Sequence, residues 1–448
     1  MLLDESLASM AADWILEVAE FVREDGKLAV RVEKAIYGLI QSAHLWYDEL
    51  TRHLLANGFT KCPSDQCVLV KHEGGQEAII VLLYVDDILI ISKKRDDRLW
   101  VKDLLEKQYE RVTVTESDRL PYLGMTIIKT GDGFEICMQT YIKDILQLHG
   151  KKVRDYVTPA KSNLFKVDMS AKPIVEKAKF HSLVAKLLYL GKRGRPDILL
   201  PVQYLCTRVK GPTVDDLNKL ERVLGYLQLT KCWTRVFERS KIDRVTIFID
   251  ASFATHTDGK SQSGCVVFLG KTLVHETCRK QKIITRNSTE AELVALSDHL
   301  QEGELVQELL LDLGALCDVE MIERVPLLYQ DNQSTITIVT TGGGQARTKY
   351  MRVRGEYVKE RLDAKECEIT YIKTEEMVAD VLTKPLVGEG FHKLARQLLG
   401  RTRFQTSYAS NRGAKKNVPR GDQSVGDMTQ DVTCLNLSCS HQRNKRQK

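Results

Sequence analysis

The amino-acid sequence predicts an α+β protein whose last large unit is a mixed α/β sheet covered by helices. Hydrophobic residues make up 43% and charged residues 28% of the chain, which is ordinary for a globular protein. Its 448 residues exceed what one typical core holds, so two or three domains are expected. Short apolar segments of strand type alternate with helical patterns, which predicts sheets packed against helices.

A helix and a hairpin dominate residues 1–150, the first predicted domain. Residues 46–59 have a helical apolar pattern that ends near Gly58. Residues 78–85 and 88–91 are apolar runs joined through Asp86 and Asp87, which predicts a β-hairpin. Two acids at such a tip can hold divalent cations for phosphoryl transfer. The alternative is a polar turn, since aspartate is common in turns.

Residues 151–243 form a predicted connecting domain, and 244–400 a further one. Helical patterns at 177–190 and 213–229 follow a polar linker. From residue 244 the order is three strands, a long helix over 288–314, and two more strands alternating with helices. In a sheet of this order the first and fourth strands are expected to be neighbours.

Four acids in this later unit fall where they can meet. Asp250 ends the first strand, Glu292 opens the long helix, Asp331 follows the fourth strand, and Asp380 is placed on the last helix. Neighbouring carboxylates repel one another unless a cation lies between them. The pattern therefore predicts a metal-binding cluster.

Each of these acids also has a purely structural interpretation. Glu292 can belong to a capping box with Thr289. Asp331 can cap the helix that follows it. Asp380 can be a solvated acid on a helix surface. Each alternative is plausible for one residue, but together they explain the set poorly.

Several motifs resemble copia-type retrotransposon Pol polyproteins. The hairpin at 83–89 resembles their reverse-transcriptase palm, and the segments at 35–43, 122–125 and 182–198 resemble their nucleotide-site, primer-holding and connecting regions. The resemblance implies an RNA-directed DNA polymerase acting on a template-primer. It makes Asp86 and Asp87 metal ligands and places Tyr84 and Gln41 at the nucleotide site.

The same resemblance predicts that this palm is truncated. Polymerases of the family use a further aspartate on a strand upstream of the Tyr37-Gly38 segment, and only 36 residues precede Tyr37. Asp4 and Asp13 lie in a helical pattern and match neither position nor context. We therefore expect a polymerase site that is incomplete in this chain.

The second unit resembles the family's ribonuclease H. The motifs are at 249–252, 258–264, 280–282, 288–293, 329–332 and 379–386. The resemblance implies that Asp250, Glu292, Asp331 and Asp380 bind two Mg²⁺ or Mn²⁺ ions and hydrolyse RNA in RNA–DNA hybrids. Each active site would hold two ions. Lys280, Lys282 and Arg286 are candidate phosphate contacts.

Two other functions stay open. The chain can be a decayed or co-opted relic that only binds nucleic acid, which the replacement of the family's histidine by Tyr350 favours. It can also be a fragment of a longer, active polyprotein with full reverse transcriptase activity. We expect an intracellular protein, in a cytoplasmic particle or the nucleus. We expect no membrane span, because the apolar run at 78–91 contains Asp86 and Asp87.

Residues 401–448 are predicted to be a basic, disordered tail. They hold ten Lys/Arg and three Asp/Glu, whereas the net charge of the whole chain is +6. The basic excess therefore belongs to the tail and says little about a groove in the folded part. The tail has few large apolar residues, so we expect it not to pack.

Overall fold

Helices and mixed sheets build the part of the chain that the structure describes. This computed structural model describes residues 1–31, 39–74, 77–109, 112–238, 244–319, 325–342, 348–401 and 431–437. Within these ranges the predicted α+β class is confirmed. No helix in them is both long and apolar enough to cross a bilayer.

The first unit has a large sheet backed by the helices Ile40–Ala56 and Arg95–Gln108, and a separate sheet of two short strands. Its core joins Leu50 and Leu54 of the first of these helices to Val81, Ile88 and Ile90 of the hairpin. The elements are β1 (Leu2–Leu3), α1 (Glu5–Trp14), a 3-10 helix (Leu16–Phe21), β2 (Leu28–Ala29), α2 (Ile40–Ala56), β3 (Thr60–Lys61), β4 (Val68–Lys71), β5 (Ile79–Tyr84), β6 (Asp87–Ser92), α3 (Arg95–Gln108) and β7 (Val112–Thr115).

The second unit is an antiparallel sheet with a helical layer. The elements are β8 (Arg119–Tyr122), β9 (Met125–Thr130), β10 (Gly133–Cys137), α4 (Gln139–His149), α5 (Lys177–Arg193), a 3-10 helix (Pro196–Ile198), α6 (Leu199–Cys206), α7 (Val214–Leu229) and β11 (Arg235–Glu238). The sheet has the order β11-β10-β9-β8, so its edge strand β11 comes from a distant part of the chain.

The third unit is a five-stranded mixed sheet of order β14-β13-β12-β15-β16. Its elements are β12 (Val245–Ser252), β13 (Gln262–Leu269), β14 (Thr272–Lys280), α8 (Ser288–Cys317), β15 (Leu327–Gln330), α9 (Gln333–Thr341), α10 (Lys349–Asp363), β16 (Glu368–Tyr371), 3-10 helices (Thr374–Glu376 and Val378–Leu382) and α11 (Gly388–Leu398). β12 pairs antiparallel with β13 and parallel with β15, so the predicted neighbourhood of the first and fourth strands is confirmed.

The second and third units share one hydrophobic core. Buried residues of α5 and α7, such as Leu187 and Leu224, belong to the same cluster as Val266 and Phe268 of β13. Helix α8 packs on the opposite face, where the cluster includes Ile247 and Leu296. Ile247 packs so closely against Gly303 of α8 that a Cβ atom on Gly303 would lie 2.1 Å from Cδ1 of Ile247. One face of the third sheet is therefore covered by the connecting helices.

The predicted boundary at residue 150 does not divide the cores. Met138, Ile142 and Ile145 are buried in the cluster that α5 and α7 also form. Helix α4 thus belongs to the second unit, because its apolar face packs against helices that follow it in the chain. The first unit contacts the third through Asp312 of α8, whose Oδ2 accepts a hydrogen bond from the Ser64 backbone N–H at 2.9 Å.

A strand from the C-terminal segment, β17 (Asp431–Leu437), lies inside the large sheet of the first unit. The order is β3-β4-β5-β6-β17-β7, and β17 pairs antiparallel with both β6 and β7. The expectation of disorder is therefore wrong for these seven residues. Composition misled the prediction, because a strand filling a gap between two others is stabilised by its ladder hydrogen bonds. The rest of 402–448 lies outside the described residues.

Candidate active site

The parallel pairing of β12 with β15 brings two of the four predicted acids together. Asp250 lies near the end of β12, and Asp331 directly follows β15. Because the two strands run parallel with Phe248 opposite Tyr329, their carboxyl ends meet at one edge of the sheet. The Asp250 side chain is fully buried, whereas Asp331 is half-buried.

Asp380 reaches this edge from a 3-10 helix, not from the last α-helix as predicted. The helix spans Val378–Leu382 and packs across β13. It can come this close because Gly264, the ladder partner of Asp250, has no side chain. A Cβ at Gly264 would lie 2.9 Å from Cβ of Leu382. The glycine therefore lets the Asp380 segment approach Asp250.

Three acids form a close group. Asp250, Asp331 and Asp380 each offer a carboxylate oxygen, and these oxygens lie within 4.8 Å of one another. Glu292, in the first turns of α8, is buried beside them, and its charge interacts with those of Asp250 and Asp331. Its Oε2 lies 3.5 Å from Nε2 of Gln330. The structure thus brings all four acids to one region, with Glu292 adjoining the close group.

Capping does not explain Glu292 or Asp331. The N-cap of α8 is Asn287, whose side chain accepts a hydrogen bond from the Glu290 backbone N–H. The N-cap of α9 is Asn332, whose side chain accepts from Thr335 N–H. In each case the cap is satisfied by a neighbouring asparagine. The structural interpretations proposed for these two acids are therefore wrong.

Burial and mutual repulsion raise the pKa values of three of these acids. Burial, and then the charge of Asp250, raises the pKa of Asp380 to about 7. The same two causes raise the pKa of Asp331. Burial and the neighbouring Asp250 and Asp331 carboxylates hold the pKa of Glu292 well above its usual range. A cluster of buried carboxylates favours a bound cation, because positive charge offsets their mutual repulsion.

Two threonines and a lysine, to which the sequence analysis gave no role, contact the acids, and of these Thr383 and Lys384 lie within the 379–386 motif. Thr383 Oγ1 donates to Oδ2 of Asp250, and Thr374 Oγ1 donates to Oδ2 of Asp331 at 2.9 Å. Lys384 Nζ lies 2.7 Å from Oδ1 of Asp380 and 3.2 Å from Oδ1 of Asp250. The contact between Asp380 and Lys384 could have been predicted from their four-residue spacing, because side chains at this spacing meet on a helical turn.

The donor set fits a hard divalent cation. Mg²⁺ and Mn²⁺ prefer carboxylate oxygens, and three such oxygens converge here. The Lys384 ammonium already sits between two of them, so the position accepts positive charge. The residues present therefore fit the ion that the family resemblance implies.

Two of the three candidate phosphate contacts form ion pairs with acidic side chains. Lys280 pairs with Asp258 at 2.8 Å and Arg286 pairs with Glu290 at 2.8 Å. Lys282 is exposed. Exposed ion pairs of this kind are weak, so they do not prevent contact with a phosphate.

The predicted polymerase acids lie at the hairpin tip. Asp86 is in the turn after β5, and Asp87 begins β6. Burial and the neighbouring Asp87 charge raise the pKa of Asp86. In the described part of the chain, no third carboxylate, histidine or cysteine completes a close group with these two. Tyr84 is 52% exposed beside them.

The tip is held in an unusual conformation by helix α2. Val85 has φ of 55°, a left-handed geometry that β-branched residues rarely adopt. Its backbone oxygen accepts a hydrogen bond from Trp46 Nε1 at 2.9 Å. Gln41 is exposed in the first turn of the same helix. Helix α2, which begins within the predicted nucleotide-site segment, therefore contacts the hairpin tip, whereas residues 35–38 of that segment lie outside the described residues.

Part of the chain matches a known protein family, and most of it is similar to known polyproteins. Residues 17–158 match the family described as reverse transcriptase (RNA-dependent DNA polymerase). The Pol polyprotein of transposon RE2 from Arabidopsis thaliana is 29% identical over 371 residues, which cover 82% of this chain and 25% of that protein. The chain is similar to copia-type Pol polyproteins over most of its length.

Further relatives extend this finding. The Pol polyprotein of transposon TNT 1-94 from Nicotiana tabacum is 26% identical, over 83% of this chain and 28% of its own length. The Ty1-MR1 Gag-Pol polyprotein of Saccharomyces cerevisiae is 24% identical, over 82% and 22%. The predicted resemblance to copia-type Pol polyproteins is thus confirmed. The chain spans about a quarter of the length of these Pol polyproteins.

Solved structures show weaker similarity. RNase H1 from Halobacterium salinarum matches 31% of this chain and 94% of its own, with 21% identity and a TM-score of 0.23. Prototype foamy virus protease-reverse transcriptase matches 75% of this chain and 38% of its own, with 14% identity and a TM-score of 0.21. The site assignments therefore rest on the geometry of this chain.

Proposed function

We propose that the third unit is a ribonuclease H that cleaves the RNA strand of RNA–DNA hybrids. The observation that carries this proposal is the convergence of Asp250, Asp331 and Asp380 from three separate elements, with Glu292 beside them. Carboxylates gathered this closely repel one another and favour bound cations, and Lys384 supplies only one positive charge among them. Two divalent ions bound by these acids are the proposed cofactor.

Such ions, when bound, lower the pKa of water and stabilise charge on a leaving oxygen. The chain's own residues fix where this happens. Thr383 holds one oxygen of Asp250, and Thr374 holds one oxygen of Asp331, so both carboxylates keep a defined orientation. Glu292 and Asp380 hold protons more readily than ordinary acids, and a bound cation would displace these protons.

The proposed substrate class comes from the resemblance to ribonuclease H, which implies recognition of backbone shape and 2′-hydroxyl groups. The exposed Lys282 and the ion-paired Lys280 and Arg286 are the proposed phosphate contacts. The proposed partner is an RNA–DNA hybrid.

The test is cleavage of a labelled RNA–DNA hybrid by the purified full chain with Mg²⁺ or Mn²⁺. We expect cleavage of the RNA strand only, and its loss in Asp331→Asn at unchanged melting temperature. Asn332→Asp is the matched control, because it preserves the cap of α9 and should remain active. Cleavage that persists in Asp331→Asn would contradict the proposal.

A second function concerns the first unit, which matches the reverse transcriptase family. We propose that Asp86 and Asp87 belong to a polymerase site on a template-primer, and that this chain does not complete it alone. A longer polyprotein with full activity, and a relic that only binds nucleic acid, remain the competing functions. Hybrid binding without cleavage by the wild-type chain would favour the relic.

A further inference from the structure

Lys384 places a positive charge inside the acidic group. Its Nζ atom contacts one oxygen each of Asp380 and Asp250, at 2.7 Å and 3.2 Å. Its side chain is 32% exposed, so the ammonium borders solvent on one side. In position and charge it stands where a cation shared by these two carboxylates would stand.

The Lys384 backbone is held by a hydrogen bond, whereas its side chain is joined to the acids through Nζ alone. The Lys384 N–H donates to the Asp380 carbonyl at 2.8 Å, and the preceding Thr383 is fully buried against Asp250. The two oxygens of Asp250 are thus divided between neighbouring residues, Oδ1 with Lys384 and Oδ2 with Thr383. A flexible four-carbon stem can withdraw the ammonium to solvent without moving this backbone.

We propose that Lys384 is a positioning residue that acts as an exchangeable cation. It holds Asp250 and Asp380 together when no divalent ion is bound, and it withdraws when such an ion takes over their oxygens. This inference rests on the proposed function, because it requires that the acids bind divalent ions. It assigns Lys384 a role in setting metal affinity.

The physical reason is competition for the same oxygens. Asp250 is fully buried, and a buried carboxylate without a partner is costly. Lys384 supplies that partner in the metal-free chain. A divalent ion on the same carboxylates would repel the ammonium at short range. Binding is therefore an exchange, and the lysine weakens the apparent metal affinity while stabilising the metal-free site.

The first test measures the accessibility of Lys384 by amine labelling and mass spectrometry on the full chain. Without metal, two carboxylates engage Nζ, so labelling should be slow. Added Mn²⁺ should accelerate labelling of Lys384 several-fold and leave the exposed Lys282 unchanged. Asp250→Asn, which keeps the contact with Asp380 but loses a metal ligand, should label at a rate that Mn²⁺ leaves unchanged. Labelling of Lys384 that Mn²⁺ leaves unchanged or slows would overturn the exchange.

The second test compares Mn²⁺ binding by calorimetry in the wild type, Lys384→Met and Lys384→Arg. Lys384→Met should bind Mn²⁺ roughly tenfold more tightly or better, because the ion no longer has to displace an ammonium from the same oxygens. Its metal-free melting temperature should fall. Lys384→Arg keeps the charge and should resemble the wild type in both measurements.

The outcomes separate this inference from the proposed function. A wild-type chain that binds no Mn²⁺, or binds it equally well after Asp250→Asn, refutes the metal site itself. A wild-type chain that binds Mn²⁺ through Asp250, with equal or weaker binding in Lys384→Met, refutes only the exchange. In that case Lys384 organises the ligands and does not compete with the ion.

Discussion

A Cβ atom on Gly264 would lie 2.8 Å from Cγ2 of Thr383. This close approach lets the Thr383 hydroxyl reach Asp250, the ladder partner of Gly264. We expect Gly264→Ala to push the 378–384 segment away from the sheet. Displacement of about 1 Å can cost roughly 100-fold in rate. Hybrid cleavage and Mn²⁺ affinity should both fall.

The matched control for this variant is Gly390→Ala in α11. A Cβ there would meet no heavy atom within 4 Å. Its activity and Mn²⁺ affinity should equal those of the wild type. A fully active Gly264→Ala would show that the contact between Gly264 and Thr383 does not position the site.

The pH dependence of metal-free stability should reflect Asp380. Its pKa in the folded chain is about 7, whereas an unfolded aspartate has a value near 4. Between these values the folded chain keeps a proton that the unfolded chain has released. The contribution of Asp380 to the free energy of unfolding therefore falls as pH rises from about 4 to 7.

This contribution is measured as the difference between wild type and Asp380→Asn in thermal melts with chelator at pH 5, 6, 7 and 8. The comparison is needed because burial lowers the pKa values of His256 and His299, which makes stability rise with pH over part of this range. Relative to Asp380→Asn, the wild type should lose stability as pH increases. A difference that grows in favour of the wild type would contradict the assignment.

The buried ion pair of the second unit should be costly to break. Arg195 donates to both oxygens of Asp197, at 2.9 Å and 2.7 Å, and Tyr226 donates to the same carboxylate at 2.6 Å. Both charged side chains are almost fully buried. Asp197→Ala leaves a buried guanidinium without its partner, so we expect a loss of about 3–5 kcal/mol in denaturant unfolding. The exposed Glu176→Ala should change stability by less than about 0.5 kcal/mol.

Removal of residues 431–448 should destabilise the first unit. The deletion takes β17 out of the sheet and exposes the unpaired edges of β6 and β7. We expect a lower melting temperature and more aggregation. Removal of 438–448 alone leaves the strand and serves as the control. Equal melting temperatures for the two truncations would show that β17 contributes nothing to the fold.

Primer extension should be absent from this 448-residue chain. Asp86 and Asp87 lack a third ligand among the described residues, and two acids alone bind divalent ions weakly. The measurement is incorporation of deoxynucleotides on an RNA template with Mg²⁺. Hybrid cleavage by the same preparation shows that it is folded. Incorporation that Asp86→Asn abolishes would disprove this prediction.

Local sequence patterns predicted the third unit well, because strand alternation and helix periodicity are encoded within each element. The pairing of β12 with β15 followed from strand order, and the convergence of Asp250 with Asp331 followed from that pairing. The 3-10 geometry around Asp380 did not, because it depends on packing against Gly264. Long-range features such as the shared core and β17 leave no periodic signal in the segments that form them.

The position of β17 also orders folding in time. Leu437 pairs with Val112, so the sheet that contains β6 and β7 is completed only after the whole third unit has been synthesised. At translation rates of about 5–20 residues per second, β6 and β7 wait roughly 15–60 s for their shared neighbour. During that interval the apolar β6 offers its open edge to any other extended chain. Nascent copies on one messenger RNA are therefore exposed to exchanging this strand with one another before each can close its own sheet.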